Sequence, residues 1–386
     1  MPDVIIDELL VFSDHHAHPF PFGSKEVLHD GVLHNSRLLE SCLVLDQMRK
    51  YADEHKIQTI VFGGDLFHTR EAVTTDAYNL TMHHLARLLS NRAAYLLVGN
   101  HDYADREGKI HSLENIKLWG GRWADRINVV DWRQTHCELH ERHQGYRGDV
   151  YDLCFVPYTE NRQLAAETIQ RHAALKKDGP RLLFAHLGMQ GAKVGSDYVL
   201  VNDGDIGLDD IPHKEFTGCL FGHFHQHQQL FQNGWYIGAS HQHNWGDVNT
   251  VRGFLHVRVY IDHIEFDFIP SDAARFIAIR DVDLDKTEIR EKDFVKILTE
   301  KRLSPDATDA IRKTTKSTNC EVIYVPPKVK LQAVELDEKH LTPSAMVETW
   351  VKANEPWLKE NMPDVDQATL VEYGRSILAK VQVRHE

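Results

Sequence analysis

The sequence predicts an α/β fold with a layered core, and three observations predict it. Short apolar runs recur at 9–12, 59–62, 95–98, 181–184 and 219–221, each too short for a helix and each followed within two residues by Gly, Asp or His. Longer stretches between the early runs carry apolar residues at helical spacing. Beyond residue 234 the pattern turns to apolar–polar alternation, the signature of antiparallel strands.

Taken in order, Leu9-Leu-Val-Phe12 reads as a buried strand that stops in Ser13-Asp-His-His-Ala-His18, ahead of Pro19 and Pro21. Asp14 and His16 fall on one side of an extended segment and can chelate one cation, with His15 pointing away. Residues 35–55 read as a helix with Leu38, Cys42, Leu45, Met48 and Ala52 near one face. The strand 59–62 runs into Gly63-Gly-Asp-Leu-Phe-His68, where two glycines let the backbone approach a ligand. Asp65 is therefore a candidate ion ligand and His68 a neighbour or substrate contact. A helix follows over 75–90, capped by Thr74 or Thr75, with His83 and His84 as ordinary helix residues.

The strand 95–98 ends in Gly99-Asn-His-Asp102: a neutral oxygen donor, a ring able to act as acid or base, and a carboxylate suited to orient it. Residues 120–148 are rich in Arg, Trp and His without metal-ligand spacing, and 149–157 alternate as a strand. A helix over 160–177 leads to the strand 181–184 and to His186. The Gly- and Asp-rich stretch 189–209 reads as a long loop near the site. Cys219-Leu-Phe221 leads into Gly222-His223-Phe-His225, and strands are expected at 235–240, 253–260 and 263–269.

Five strand ends thus supply Asp14, His16, Asp65, Asn100, His186, His223 and His225, and open α/β sheets place sites beyond the carboxyl ends of their strands. These side chains exceed the needs of one ion. With two, Asp65 bridges: one ion takes Asp14, His16, Asp65 and His225, the other Asp65, Asn100, His186 and His223. Nitrogen and oxygen ligation without sulfur suits manganese, iron or zinc better than magnesium or calcium.

Composition narrows the classes. The chain has 386 residues, 42% of them hydrophobic, with no apolar run near the length of a membrane span and no signal-peptide pattern. Its cysteines (42, 137, 154, 219 and 320) are odd in number and lack a Cys-x-x-Cys pair, as expected of reduced thiols in the cytoplasm of a bacterial or phage-infected cell. A net charge of −13 counts against nucleic-acid binding, although bound cations offset part of it locally.

Asp14-His-His16, Gly-Gly-Asp65-Leu-Phe-His68, Gly-Asn100-His-Asp102, His186 and Gly-His223-Phe-His225 resemble, in order, the five motifs of the calcineurin-like metallophosphoesterases over about residues 9–260. Within that superfamily the chain is similar to the SbcD-type DNA repair nucleases and their phage recombination-endonuclease counterparts. The narrower likeness rests on residues 63–68 and 99–102, and on Tyr236-Ile-Gly-Ala-Ser240, Gly246-Asp and Arg252-Gly253. A departure is His241-Gln-His243, where that family usually shows Pro-Leu, and it bears on the substrate groove.

The resemblance implies a layered β-sandwich flanked by helices, with a smaller C-terminal α+β capping region. It implies two divalent cations, manganese first with iron or zinc as alternatives, which supply an activated water for in-line attack on phosphorus. His68 would steady charge on the phosphoryl oxygens, and His101, oriented by Asp102, would protonate the leaving oxygen. It further implies a nuclease domain over 1–270, a capping domain over 271–340 and helices over 341–386 that dock on an SbcC-like coiled-coil ATPase. DNA would be the substrate, the protein a homodimer, and no membrane is involved. Exo- and endonuclease action both remain open.

The residues themselves predict a hinge at 270–274, a strand from 275, a helix over 291–301, a strand at 321–325 and two C-terminal helices. The last two carry apolar stripes (Met346, Trp350; Leu370, Tyr373, Ile377, Val381) that either pack on the chain's own core or meet a partner. Two other functions stay in view: a stand-alone phosphoesterase for small diesters or phosphoproteins, which the acidic charge favours, and a non-catalytic scaffold, which retention of the seven ligands and His101 disfavours.

Overall fold

The strand Asp7–Phe12 pairs in parallel with Thr59–Phe62, that strand with Ala93–Leu97, and the last with Ile127–Val130. On its other side Asp7–Phe12 meets Gly253–Val259 antiparallel, and Ile264–Pro270 closes this six-stranded sheet. A second six-stranded sheet runs in the order Gln228–Phe231, Gly234–Tyr236, Gly218–Gly222, Arg181–His186, Val150–Val156, His140–Gln144, with parallel pairing in its middle. The computed structural model describes residues 4–105, 108, 110–119, 126–133, 140–145, 148–176, 178–194, 198–199, 206–326, 343–361 and 365–382.

The two-residue period of a strand explains the layering. Leu9, Val11, Val61 and Leu97 of the first sheet share one core with Leu153, Phe155, Leu182 and Phe184 of the second. Their neighbours Leu10, Phe12, Ile60 and Phe62 turn the other way, against the helices Ser36–Glu54 and Thr75–Leu89. On the far face of the second sheet, Cys154, Leu183 and Phe221 meet Ala165 and Ile169 of the helix Arg162–Ala174. Strands covered on both faces have no polar side, which is why they read as unbroken apolar runs. The result is the predicted β-sandwich with helices outside each sheet.

Helix starts follow their caps. The Asn35 side chain accepts from the N–H groups of Arg37 and Leu38, and the Thr74 hydroxyl accepts from Ala77 N–H. The hairpin Glu26–His29/Val32–Asn35 turns on Asp30-Gly31, both at positive φ (48° and 81°), an Asp-Gly signal that the sequence carries in plain view.

The C-terminal region differs from expectation. Residues 291–301 are not a helix: Phe294–Thr299 is a strand, paired in parallel with Phe276–Arg280. Phe294 enters one apolar cluster while Val295 and Ile297 enter another, so alternation decides the element. Asn319–Tyr324 completes a three-stranded sheet, and the helix Pro305–Thr314 is an addition. Met1–Thr299 and Leu303–Ile323 form one compact unit. Glu300–Arg302 with Tyr324–Glu386 form the other, which holds the helices Pro343–Ala353, Glu355–Asn361 and Gln367–Gln382. Residues 327–340 of the expected capping domain, and 195–197 and 200–205 of the expected long loop, lie outside the described residues, as do parts of 120–148.

One core histidine makes stability pH-dependent. His172 is buried, its Nε2 donates to the Phe155 carbonyl at 3.2 Å, and burial pushes its pKa down to about 4. The neutral ring is favoured in the fold, so this stabilisation is complete above the unfolded value near 6.5 and is lost as pH falls towards 4. It amounts to at most about 3 kcal/mol. The denaturation midpoint of the parent is expected to fall more steeply between those pH values than that of His172→Gln. Equal slopes would show that His172 is not the responsible group.

Candidate metal centre

Among the described residues, eight that are not glycine have positive φ, and four of them are predicted ligands: Asp14 (49°), His16 (48°), Asp65 (63°) and His223 (102°). Such conformations cost roughly 1–3 kcal/mol each and persist only where the surroundings impose them. Here Asp14 N–H donates to the Gly64 carbonyl at 2.9 Å, and His16 N–H to the Asp65 carbonyl at 3.0 Å. His223 N–H donates to both oxygens of Asp14 at 3.1 and 3.2 Å, joining the two sheets. Gly64 (φ 106°) and Gly99 have no substitute, because a Cβ would lie 2.4 Å from His186 Nδ1 at the first and 2.2 Å from Asp65 Oδ1 at the second.

The predicted ligands converge. His186 Nδ1 donates to the Gly63 carbonyl at 2.7 Å, which aims Nε2 at Asn100 Oδ1 (3.0 Å) and Asp65 Oδ2 (3.5 Å). His223 Nδ1 lies 2.8 Å from the same Asn100 oxygen. On the other side of Asp65, His16 Nε2 is 3.6 Å from Oδ2 and 3.2 Å from His225 Nε2. Asp65 Oδ2 thus stands between the two halves, the position of a bridge. Donor atoms of Asp14, His16 and His225 fall within 4.8 Å of one another, as do those of Asp14, Asp65 and His186.

The orientation of Asn100 tests whether a cation fits. Turned over, its nitrogen would donate to His186 Nε2 and His223 Nδ1, and its oxygen would accept from Arg70 Nη2 at 2.9 Å. With its oxygen inward, that oxygen, His186 Nε2 and His223 Nδ1 face one point, as donors do around a cation once His186 has given up its proton. Harder oxygens and borderline nitrogens without sulfur fit a transition-metal ion.

Electrostatics agree with ligand duty. Burial lowers His16 well below the usual imidazole range and His223 to about 3, so both rings are neutral. Burial raises Asp14, while Asp65 is lowered despite its burial by His186 and His16. Burial also opposes charge on His186, but Asp65 and Asp14 hold its pKa up at about 9. His186 therefore gives up a proton when it ligates a cation.

The geometry revises one expected role. Asp102 does not orient the His101 ring: its carboxylate accepts from the backbone N–H of Asp65 (2.8 Å), Leu66 (2.9 Å) and Gly99 (2.9 Å) and from Ser112 Oγ (3.1 Å). It ties the two glycine loops together. His101 is held instead by its Nδ1, which donates to the His68 carbonyl at 2.6 Å. The His68 ring stacks on His101 at 5.6 Å between centroids, and burial lowers its pKa to about 4, so it acts as a neutral ring. Replacing Asp102 by alanine strands three buried N–H groups and is expected to cost about 3–5 kcal/mol. Urea denaturation of the metal-free protein measures this, and a loss below about 1 kcal/mol would contradict the role assigned to Asp102.

Other residues join the site. His15 is buried, with Nδ1 2.8 Å from Ser240 Oγ. The Tyr158 ring stacks on His223 at 5.8 Å, and it follows the strand Val150–Val156, so the strand-end signal could have found it. His243 lies beside His16 and His225, and Arg70 beside Asn100.

A family model described as Calcineurin-like phosphoesterase matches residues 8–227. A putative phosphoesterase, 078R, of Invertebrate iridescent virus 3 is 24% identical over 242 residues, 59% of this chain and 61% of that protein. Another, 244L of Invertebrate iridescent virus 6, is 26% identical over 196 residues, 50% of this chain and 61% of that protein. The chain thus spans about three fifths of the length of these curated relatives. A dimetal phosphatase structure from Danio rerio aligns with a TM-score of 0.44 at 12% identity, covering 69% of this chain and 97% of that one. The purple acid phosphatase PPD1 from yellow lupin seeds aligns at 0.41 and 13% identity, covering 68% and 51%.

Proposed function

This chain belongs to the calcineurin-like phosphoesterase family, and on that premise we propose that it is a two-metal DNA nuclease of the SbcD type, acting in DNA end processing, repair or recombination. The observation that carries the two-metal part is Asp65 Oδ2, placed 3.5 and 3.6 Å from imidazole nitrogens of opposite halves of the site. The motif likeness at residues 63–68 and 99–102 supports the choice of DNA. Manganese is the proposed metal.

Asp14, His16, Asp65 and His225 would hold one cation, and Asp65, Asn100, His186 and His223 the other. When bound, the pair supplies Lewis acidity to the phosphoryl group and lowers the pKa of a water. The protein's own part is placement and proton transfer. His101, fixed through Nδ1, keeps Nε2 for the leaving oxygen, and the neutral ring of His68 beside it offers an N–H to a phosphoryl oxygen.

Met346, Trp350, Tyr373 and Ile377 are exposed on the C-terminal helices, which supports docking of an SbcC-like ATPase there. A homodimer in the cytoplasm completes the reading. Among the described residues no helix is long and apolar enough to cross a membrane. The net charge of −13 favours a second reading, a phosphoesterase for small diesters or phosphoproteins.

Purified protein with manganese is expected to degrade end-labelled linear duplex DNA. Hydrolysis of bis-p-nitrophenyl phosphate with duplex DNA left intact would move the assignment to the second reading.

A further inference from the structure

His241-Gln-His243, the segment where the sequence departs from the SbcD-type pattern, lies against the metal-ligand histidines. The His243 ring centroid is 4.9 Å from that of His225 and 5.0 Å from that of His16. His243 is only 2% exposed, yet neither of its ring nitrogens has a hydrogen-bond partner. Buried polar atoms are paired in the great majority of cases, so two such nitrogens on one ring call for a ligand.

The neighbours say which ligand. His243 Nδ1 is 4.0 Å from Asp247 Oδ2, and one donor atom each of His225, His243 and Asp247 fall within 4.8 Å of one another. Around a tetrahedral cation with bonds of about 2.0–2.2 Å, donor atoms stand about 3.3–3.6 Å apart, so the three groups must draw in by up to about 1.5 Å, a side-chain rotation. Asp247 is already fixed: Oδ2 accepts from His243 N–H at 2.8 Å and Oδ1 takes Arg252 Nη2 at 2.7 Å. An anion is disfavoured as occupant, because a carboxylate oxygen forms one wall.

We propose that His225, His243 and Asp247 form a third divalent-cation site beside the pair. Two imidazoles and one carboxylate are a donor set for zinc, cobalt or ferrous iron. Where the neighbouring ion holds Nε2 of His225, the third ion would need the other ring nitrogen, with its N–H proton released to solvent, and the Arg252 guanidinium is close by, so the site fills last.

The test counts ions and does not depend on any activity. Metal-free protein is dialysed against zinc and the ions bound per chain are measured, with cobalt absorption as a second readout. His243→Leu is expected to hold one ion fewer than the parent, and His16→Ala/His243→Leu one fewer than His16→Ala. Equal counts in parent and His243→Leu overturn the proposal. Equal counts in His16→Ala and the double variant also overturn it, because His243 would then serve the same ion as His16. If the metal-free leucine variant does not melt like the parent, His243→Gln is read by the same criteria. Failure of the DNA assignment leaves these counts unchanged, so the two readings fail separately.

Discussion

Asp65→Asn is expected to lose turnover by about three orders of magnitude or more, the largest effect of any substitution in the centre. The amide removes a full negative charge from the atom that stands between His16 and His186. Asp65 also lies at the turn where its own N–H reaches Asp102 and its Oδ1 accepts from His101 N–H at 2.7 Å. Asparagine tolerates the left-handed backbone and keeps an oxygen acceptor, so the fold is expected to survive. The same variant loses the charge that keeps His186 protonated, so the proton released on metal binding should diminish as well. Metal analysis and proton release on manganese addition check this. A variant that binds two ions and turns over like the parent would remove Asp65 from the bridging position.

His101→Ala is expected to keep its metals and lose about 10²–10⁴-fold in turnover on DNA. The loss should depend on the leaving group. The sugar alkoxide expelled from DNA needs a proton, whereas p-nitrophenolate leaves without one. Hydrolysis of bis-p-nitrophenyl phosphate should therefore fall far less than DNA cleavage does. An equal loss on both substrates would mean that His101 positions the phosphoryl group and does not protonate the leaving oxygen. Asp102→Asn, by contrast, is a change in a loop tie, and its effect should appear first in stability.

The central strands were legible because burial on both faces leaves unbroken apolar runs, and each run stops where glycine or a polar residue begins. Thr59–Phe62 was predicted with its observed bounds, and Thr74 was one of two caps expected for its helix, whereas Asn35 caps the helix it was expected to begin. The candidate ligands were visible for the same reason, since parallel strands end on one side. Tertiary partners were not. Asp102 follows His101 in sequence, but its oxygens face backbone N–H groups of a different loop. Phe294–Thr299 was misread because Lys296 and Thr299 interrupt the apolar pattern, and its two faces pack into separate clusters. His243 was noted only as a departure, because its closeness to His16 spans more than two hundred residues of chain.

Asp14, His16, Asp65 and Asn100 follow strands of the first sheet, whereas His186 ends a strand of the second and His223 and His225 follow another. A cation held between His16 and His225 therefore ties positions 209 residues apart. Because the unfolded chain cannot present the two rings together, the ion would bind the folded protein alone and stabilise it by mass action, by about 4 kcal/mol at a thousand times its dissociation constant. Chelators should thus loosen the protein as well as silence it.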